Sequence, residues 1–130
     1  MPITDWRLHE SGGVLYIQSV DDQTPAGRHV TIVEIVELSV SLGVLALAVE
    51  PRTPDAKITA QLDPLHHDAL AALIVGAGVR VYVLISHTEC ADARHHVFAL
   101  QRAGVLARLS ASRDEAVALV RRLLVERPGD

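Results

Sequence analysis

Short apolar segments alternate with helical patterns through the second half of the chain. Residues 79–85 form a β-branched apolar run, which is typical of a buried strand. Residues 90–103 have helical periodicity, Gly104 ends that pattern, and residues 105–109 form a second apolar run. A strand, a crossover helix and another strand are the unit of a parallel sheet, whose ligands bind where the strands end. The pattern therefore predicts an α/β fold with any functional site just after residue 85.

The same alternation extends toward both ends of the chain. Asp63 and Pro64 are typical of a helix start, and Ser112 and Glu115 have the spacing of a capping box. Repeated alternation of this kind requires crossover connections, and it predicts one three-layer α/β domain over residues 1–130 with a mostly parallel sheet of four or five strands. The predicted strands lie at 14–20, 44–49, 79–85 and 105–109, and the predicted helices at 63–77, 90–103 and 113–126.

The apolar spacing of the helix at 63–77 predicts which of its faces is buried. Its first turn contains His66 and His67, which at this position we expect to be a surface pair. The predicted buried stripe consists of Leu65, Ala69, Leu73 and Ala77, widened by Leu70 and Ile74.

Residues 30–42 are compatible with two structures. They are rich in β-branched residues, and 36–42 alternates strictly between apolar and polar positions, which is typical of a strand. However, the polar residues of the segment also fall on one side of a helix, which permits an amphipathic helix; they are Thr31, Glu34, Glu37 and Ser41. Both alternatives stay open. Because apolar residues occur nearly all round this segment, we also expect part of it to contact a partner subunit in a homodimer.

Charge and composition exclude several classes of protein. The net charge of −4 provides no basic field to hold nucleic acid, so we expect no DNA binding by this domain alone. The long apolar run at 30–49 contains Glu34 and Glu37, whose burial in lipid would be costly, so we expect no membrane span. The single cysteine suits a reducing compartment and the N-terminus lacks the apolar region of a signal peptide, so we expect a cytoplasmic protein.

Reactive side chains concentrate in the turn and helix that follow the third predicted strand. His87, Glu89, Cys90 and His95 offer imidazole, carboxylate and thiolate groups, which are ligands for zinc, and they are the candidate metal ligands. Their spacing matches no established zinc motif. His95 and the adjacent His96 diverge by about 100° on a helix, so only one of them could face such a site. The alternative is a polar helix start with solvated histidines.

The same turn contains candidates for nucleophilic catalysis. Cys90 lies at a predicted helix N-terminus, a setting that activates thiols, and His87 could act as its base. No third group that would orient the base is evident, and a small, partly buried cysteine is the alternative. The sequence indicates no cofactor.

Four segments of the chain together resemble a known family. Residues 14–23 look like a strand of the type Tyr-x-Arg-Val-Ser followed by Asp-Asp-Gln. Residues 44–50, 62–77 and 79–105 then follow an order of strand, helix, strand, elbow, helix and Gly-Val. This order is similar to that of the catalytic domain of serine recombinases, the resolvase/invertase family. The resemblance implies a resolvase-like or flavodoxin-like parallel sheet. It places the nucleophilic serine at Ser19 or at the position of Val20, depending on a one-residue gap.

Departures from the family pattern change what the resemblance implies. Gln18 stands where the family has its first arginine, and the elbow at 86–90 lacks the arginines that stabilise the transferring phosphate. Phosphoryl transfer depends on positive electrostatics around the phosphate, and Glu89 would repel it. The resemblance therefore implies a degenerate, noncatalytic domain that acts through protein–protein contacts. We expect such a domain not to cleave DNA strands.

Two other families share the same outline. Residues 81–88 and the final amphipathic helix resemble a response-regulator receiver domain without its phosphorylation residues. Residues 104–120 resemble the end of anti-sigma-factor antagonist domains, which close with a glycine-led strand and a Ser-x-x-Glu-capped helix. Either resemblance implies a regulatory signalling domain. A small metal-binding or enzymatic protein that uses residues 87–96 stays open as a further alternative.

Overall fold

Strands and helices alternate along the chain in the computed structural model. The described part of the chain consists of residues 3–9, 13–20, 25–51, 64–86 and 91–126. Its elements in chain order are β1 (Ile3–His9), β2 (Val14–Ser19), α1 (Pro25–Leu42), β3 (Ala46–Pro51), α2 (Pro64–Gly76), β4 (Val81–Ile85), α3 (Ala91–Arg102), β5 (Leu106–Ser110) and α4 (Arg113–Glu126).

The five strands form one sheet in which spatial order follows chain order, β1-β2-β3-β4-β5. β1 pairs with β2 in the antiparallel direction, and the other neighbouring pairs are parallel. The α/β class and the mostly parallel sheet are therefore confirmed. In the flavodoxin-like order the first strand lies inside the sheet rather than at one end of the parallel set, so the sequential order seen here is different.

Adjacent residues of each inner strand point to opposite faces of the sheet and enter two separate cores. Leu15 and Leu47 belong to the core covered by α1, α2 and α3, whereas Val14 and Ala46 belong to the core covered by α4. Three helices on one face and one on the other make the fold three-layered. The helices contribute Ile32, Ile35, Leu70, Ile74, Val97 and Leu100 to the first core, and Ala116, Val117, Val120 and Leu123 to the second.

Residues 30–42 are helical, which decides between the two structures that the sequence left open. The hydroxyl of Thr31 donates to the Gly27 carbonyl at 3.0 Å, and that of Ser39 donates to the Ile35 carbonyl at 2.7 Å. Both hydroxyls are buried, and bonding to the carbonyl one turn earlier satisfies them inside the helix. The connection between the parallel strands β2 and β3 must cross over, and this overrides the strand propensity of the β-branched residues. No helix in the described ranges is long and apolar enough to span a membrane.

The strand β1 is absent from the predicted elements, although a short signal for it exists. Trp6 and Leu8 alternate with Asp5 and Arg7, which is the period of a strand with two different faces. Trp6 lies opposite Ile17 and Leu8 opposite Leu15 in the antiparallel ladder. These partners belong to the core under α1, α2 and α3, so Trp6 and Leu8 lie on that face of the sheet.

The predicted buried stripe of α2 is correct at Leu70 and Ile74, which are buried, and wrong at Leu65 and Ala69. Leu65 is 80% exposed and Ala69 is also exposed, whereas His67 is completely buried. The expectation of a surface histidine pair therefore fails at His67. Because almost every position of α2 is apolar, its sequence does not indicate which side faces the sheet. The buried stripe consists of His67, Leu70, Ala71 and Ile74.

Glycine ends α3 at the position that the sequence predicts. Gly104 has a φ of 96° and donates its N–H to the Gln101 carbonyl at 3.1 Å, and Val105 N–H donates to the Leu100 carbonyl at 3.0 Å. This pair of bonds is a Schellman motif, which requires the left-handed conformation that glycine adopts without strain. The chain then turns directly into β5.

The N-terminus of α4 provides a test of the fold. Ser112 Oγ accepts the Glu115 N–H at 3.2 Å, whereas the reciprocal bond to the Glu115 carboxylate is not formed among the described residues. We expect Ser112→Ala to lower the free energy of unfolding in urea by about 1 kcal/mol, because one N–H group loses its acceptor. Ser112→Asp retains a capping oxygen and should stay close to wild type. Equal stability of all three proteins would contradict this assignment of the cap.

Candidate functional site

The parallel strands β2 to β5 end at one edge of the sheet, which we call the carboxyl edge. Ser19, Glu50 and Ser110 lie at the ends of β2, β3 and β5, and all three side chains are buried. Ser86 follows β4, and its N–H donates to the Ser110 carbonyl at 2.8 Å. Ligand sites of parallel sheets form at this edge, so it is the first place to look for function.

A carboxylate is buried on the α4 side of the carboxyl edge. The hydroxyl of Tyr16 donates to Glu50 Oε1, and the side-chain amide of Gln18 donates to the same oxygen at 3.4 Å. Gln18 and Glu50 are neighbours in the parallel ladder between β2 and β3, and Tyr16 lies two residues earlier on the same face. The guanidinium of Arg113, in the first turn of α4, lies 5.3 Å from the centre of the Tyr16 ring. These four residues form the Tyr16–Glu50 cluster.

Electrostatics in this cluster favour a neutral tyrosine beside the carboxylate. Burial raises the pKa of Tyr16, and the hydrogen bond to Glu50 raises it further, because the phenolate would lose its donor role next to a negative charge. Gln18 and Arg113 act in the opposite direction. Tyr16 therefore remains a hydrogen-bond donor at neutral pH and solvates the buried carboxylate.

A second polar cluster lies on the other face of the sheet, between β4, α2 and α3. Nε2 of His96 and the hydroxyl of Tyr82 share a hydrogen bond of 3.2 Å. The ring of His67 lies 6.1 Å from that of His96 and 6.0 Å from that of His95, measured between ring centroids. Tyr82, His96 and His67 are all buried, whereas His95 is exposed. We call these four residues the Tyr82–His96 cluster.

Burial dominates the electrostatics of Tyr82. It raises the pKa of Tyr82 far above its ordinary value, and the positive charge of Arg28 on α1 opposes that shift only in part. The phenol therefore keeps its proton and can serve as a hydrogen-bonding group of the core. Its location beneath three helices separates it from bulk water.

The structure describes only some of the residues singled out from the sequence. Ser19 is buried at the end of β2, on the strand face opposite to Gln18. His87, Glu89 and Cys90, the remaining candidates for catalysis and metal binding, lie outside the described residues. Of the two adjacent histidines on α3, His96 faces the core and His95 does not, as their divergence on a helix requires.

No group of three or more metal-ligating side chains is assembled within the described residues. Sequence reasoning missed both polar clusters. Tyr16 and Glu50 are in different strands, and only the ladder register brings them together. For His67 a signal was available, because it has helical spacing with Leu70 and Ile74.

Apolar side chains also cover the outward side of two helices. Val30 and Val40 of α1 are 52% and 60% exposed, and Leu65 and Val75 of α2 are also exposed. Exposed polar residues, among them His29, Glu37 and Asp68, lie on the same helices. We call this surface the α1–α2 outer face. Apolar side chains exposed together on one surface are typical of an interaction site.

Comparison with protein families, with curated proteins and with solved structures finds no match to this chain.

The buried carboxylate generates a mutational prediction. Glu50→Ala should lower the free energy of unfolding by about 1–3 kcal/mol, because the Tyr16 hydroxyl loses its acceptor in a buried site. Glu50→Gln keeps an oxygen acceptor and should cost less. In urea titrations, the double variant Tyr16→Phe/Glu50→Ala should lose less stability than the sum of the two single variants. Strict additivity would show that the two side chains are not coupled.

The two tyrosines of the chain generate a prediction for alkaline pH. In the unfolded chain both ionise near pH 10, whereas in the folded protein both pKa values are raised. The stability they provide is fully present below about pH 10 and is lost as pH rises above it, because only the unfolded state then releases the protons.

Tyrosine absorbance and circular dichroism, recorded together during an alkaline titration, measure this effect. We expect ionisation to coincide with unfolding, and Tyr82→Phe to reduce the pH dependence of the urea midpoint above about pH 10. Ionisation of Tyr82 in a protein that keeps its native circular dichroism would contradict the prediction.

Proposed function

We propose that this chain is a noncatalytic, regulatory α/β domain that acts through protein–protein contacts at the α1–α2 outer face. The observation that carries the proposal is the exposure of Val30, Val40 and Leu65 on the outward side of α1 and α2. Removing such side chains from water is favourable by roughly 25 cal/mol per Å² of apolar surface, and a partner protein would supply that burial.

The state of the polar groups at the carboxyl edge supports a noncatalytic role. Glu50 is buried and accepts hydrogen bonds from Tyr16 and Gln18, so its charge is used inside the domain. Ser19 is buried as well. A nucleophile or general base has to reach a substrate atom directly or through one water, whereas both of these groups are buried inside the domain.

The sheet order and the C-terminal region bear on the three family resemblances. The sequential order β1-β2-β3-β4-β5 weighs against the receiver-like alternative, whose flavodoxin-like sheet places its first strand inside. The Schellman turn at Gly104 and the Ser112 cap of α4 are the features that carry the resemblance to anti-sigma-factor antagonists. The degenerate resolvase-like domain and the antagonist-like signalling domain both stay open.

Charge supports a protein partner over DNA. The net charge is −4, and α1 carries the acidic residues Glu34 and Glu37 on or beside its exposed side. Such a surface repels phosphate groups, whereas nonspecific DNA binding depends on neutralising them.

Photocrosslinking tests whether the α1–α2 outer face contacts protein. We expect a benzoylphenylalanine placed at Val40 or Leu65 to form protein crosslinks in the native cells, because both side chains would be buried by the partner. The matched control is the same residue at Val125, which is 82% exposed on α4, on the opposite face of the sheet. Crosslinks from Val125 but not from α1 or α2 would contradict the proposed surface, as would no crosslinks from any of the three positions.

A further inference from the structure

The exposed side of α1 forms one continuous stripe along the helix. Its central member is the half-buried Val33, and the remaining members are exposed. Three- and four-residue steps place side chains on the same side of a helix, so the stripe is a single surface. It consists of Ala26, His29, Val33, Glu37 and Val40.

The spacing of this stripe is symmetric about Val33. His29 precedes Val33 by four residues and Glu37 follows it by four, and Ala26 and Val40 are each a further three residues away. If a second α1 packed against the first in the antiparallel direction with its own Val33 opposite Val33, every member would meet its symmetric counterpart. Ala26 would lie opposite Val40 and His29 opposite Glu37, at both ends of the contact.

These pairings are complementary in size and in charge. A small residue opposes a branched one, and an imidazole opposes a carboxylate. Within the described part of their own chain, neither His29 nor Glu37 has a hydrogen-bond or ion-pair partner. A two-fold interface requires this kind of self-complementarity, because residue i contacts residue j and residue j contacts residue i.

We infer that a second copy of this chain packs against the α1 part of the outer face. The two-fold axis of this dimer passes at Val33, and His29 of each copy pairs with Glu37 of the other. The inference rests on the proposed function and specifies its partner. Trp6 and Leu8 are also exposed, on a strand that α1 contacts and on the face of the sheet that α1 covers.

Cysteine crosslinking tests the register. In a Cys90→Ser background, which removes the single native cysteine, Val33→Cys should form an intermolecular disulfide under mild oxidation. Helices packed at the usual distance bring the two axial Cα atoms to roughly 4–5 Å, within the range of a disulfide. Val40→Cys alone should not crosslink, because its two copies would be about 21 Å apart along the helices. A mixture of Val40→Cys and Ala26→Cys chains should crosslink.

Variants that change the side chains of His29 and Glu37 test their pairing and leave the core unchanged. Because His29 and Glu37 are exposed, the variants should fold, which circular dichroism checks. By sedimentation, Glu37→Arg should raise the dimer dissociation constant about tenfold or more, since each imidazole would lose its carboxylate partner and face a guanidinium donor instead, at both ends. Adding His29→Glu should restore the constant to within about threefold of wild type. Val125→Asp, on the opposite face of the sheet, should leave it unchanged.

The outcomes separate this inference from the proposed function. A protein that stays monomeric at high micromolar concentration, or that crosslinks through Val40→Cys alone but not Val33→Cys, overturns the inference. If the photocrosslinker at Val40 then captures a different protein, the proposed interaction surface stands and only its occupant changes. If Val40 and Leu65 both capture nothing, the inference and the proposed function are both wrong. Failure of His29→Glu to rescue Glu37→Arg also overturns the pairing.

Discussion

Parallel pairing between consecutive strands is the constraint on which the rest of this structure depends. β2, β3, β4 and β5 lie side by side in chain order, so each connection must return along the sheet before the next strand begins. Such crossovers are almost always right-handed, which places α1, α2 and α3 on the same face. The opposite face would remain uncovered without α4, whose Val117 and Val120 pack there.

Crowding three helices onto one face determines what each of them exposes. α2 lies between α1 and α3 and contacts both, and Asp68 of α2 is linked to Arg102 of α3 by an ion pair of 2.7 Å. That pair is exposed and contributes little to stability. Packing of the core does not account for Val30, Val40 and Leu65, because these side chains are exposed on the outer side of the helices. Their retention at the surface fits a contact with another protein.

The two polar clusters inside the domain join side chains from different elements. Tyr16 and Glu50 come from neighbouring strands, whereas Tyr82 and His96 come from a strand and the helix above it. An unpaired buried polar group costs more than a paired one gains, so both clusters restrict how their elements can be packed. The Tyr16–Glu50 cluster in this way uses Glu50, at the carboxyl edge, for architecture.

The sequence by itself determined the α/β class, the end of α3 at Gly104 and the span of α4, because each is encoded by local chemistry: strand propensity, a left-handed glycine and a serine cap. It could not determine the state of residues 30–42 or the buried side of α2. In both segments apolar residues lie in all directions, so the pattern has no orientation until a sheet lies beneath it. Tertiary structure decided these, and it also brought Tyr16 to Glu50, since a ladder register joins residues that no spacing in the chain relates.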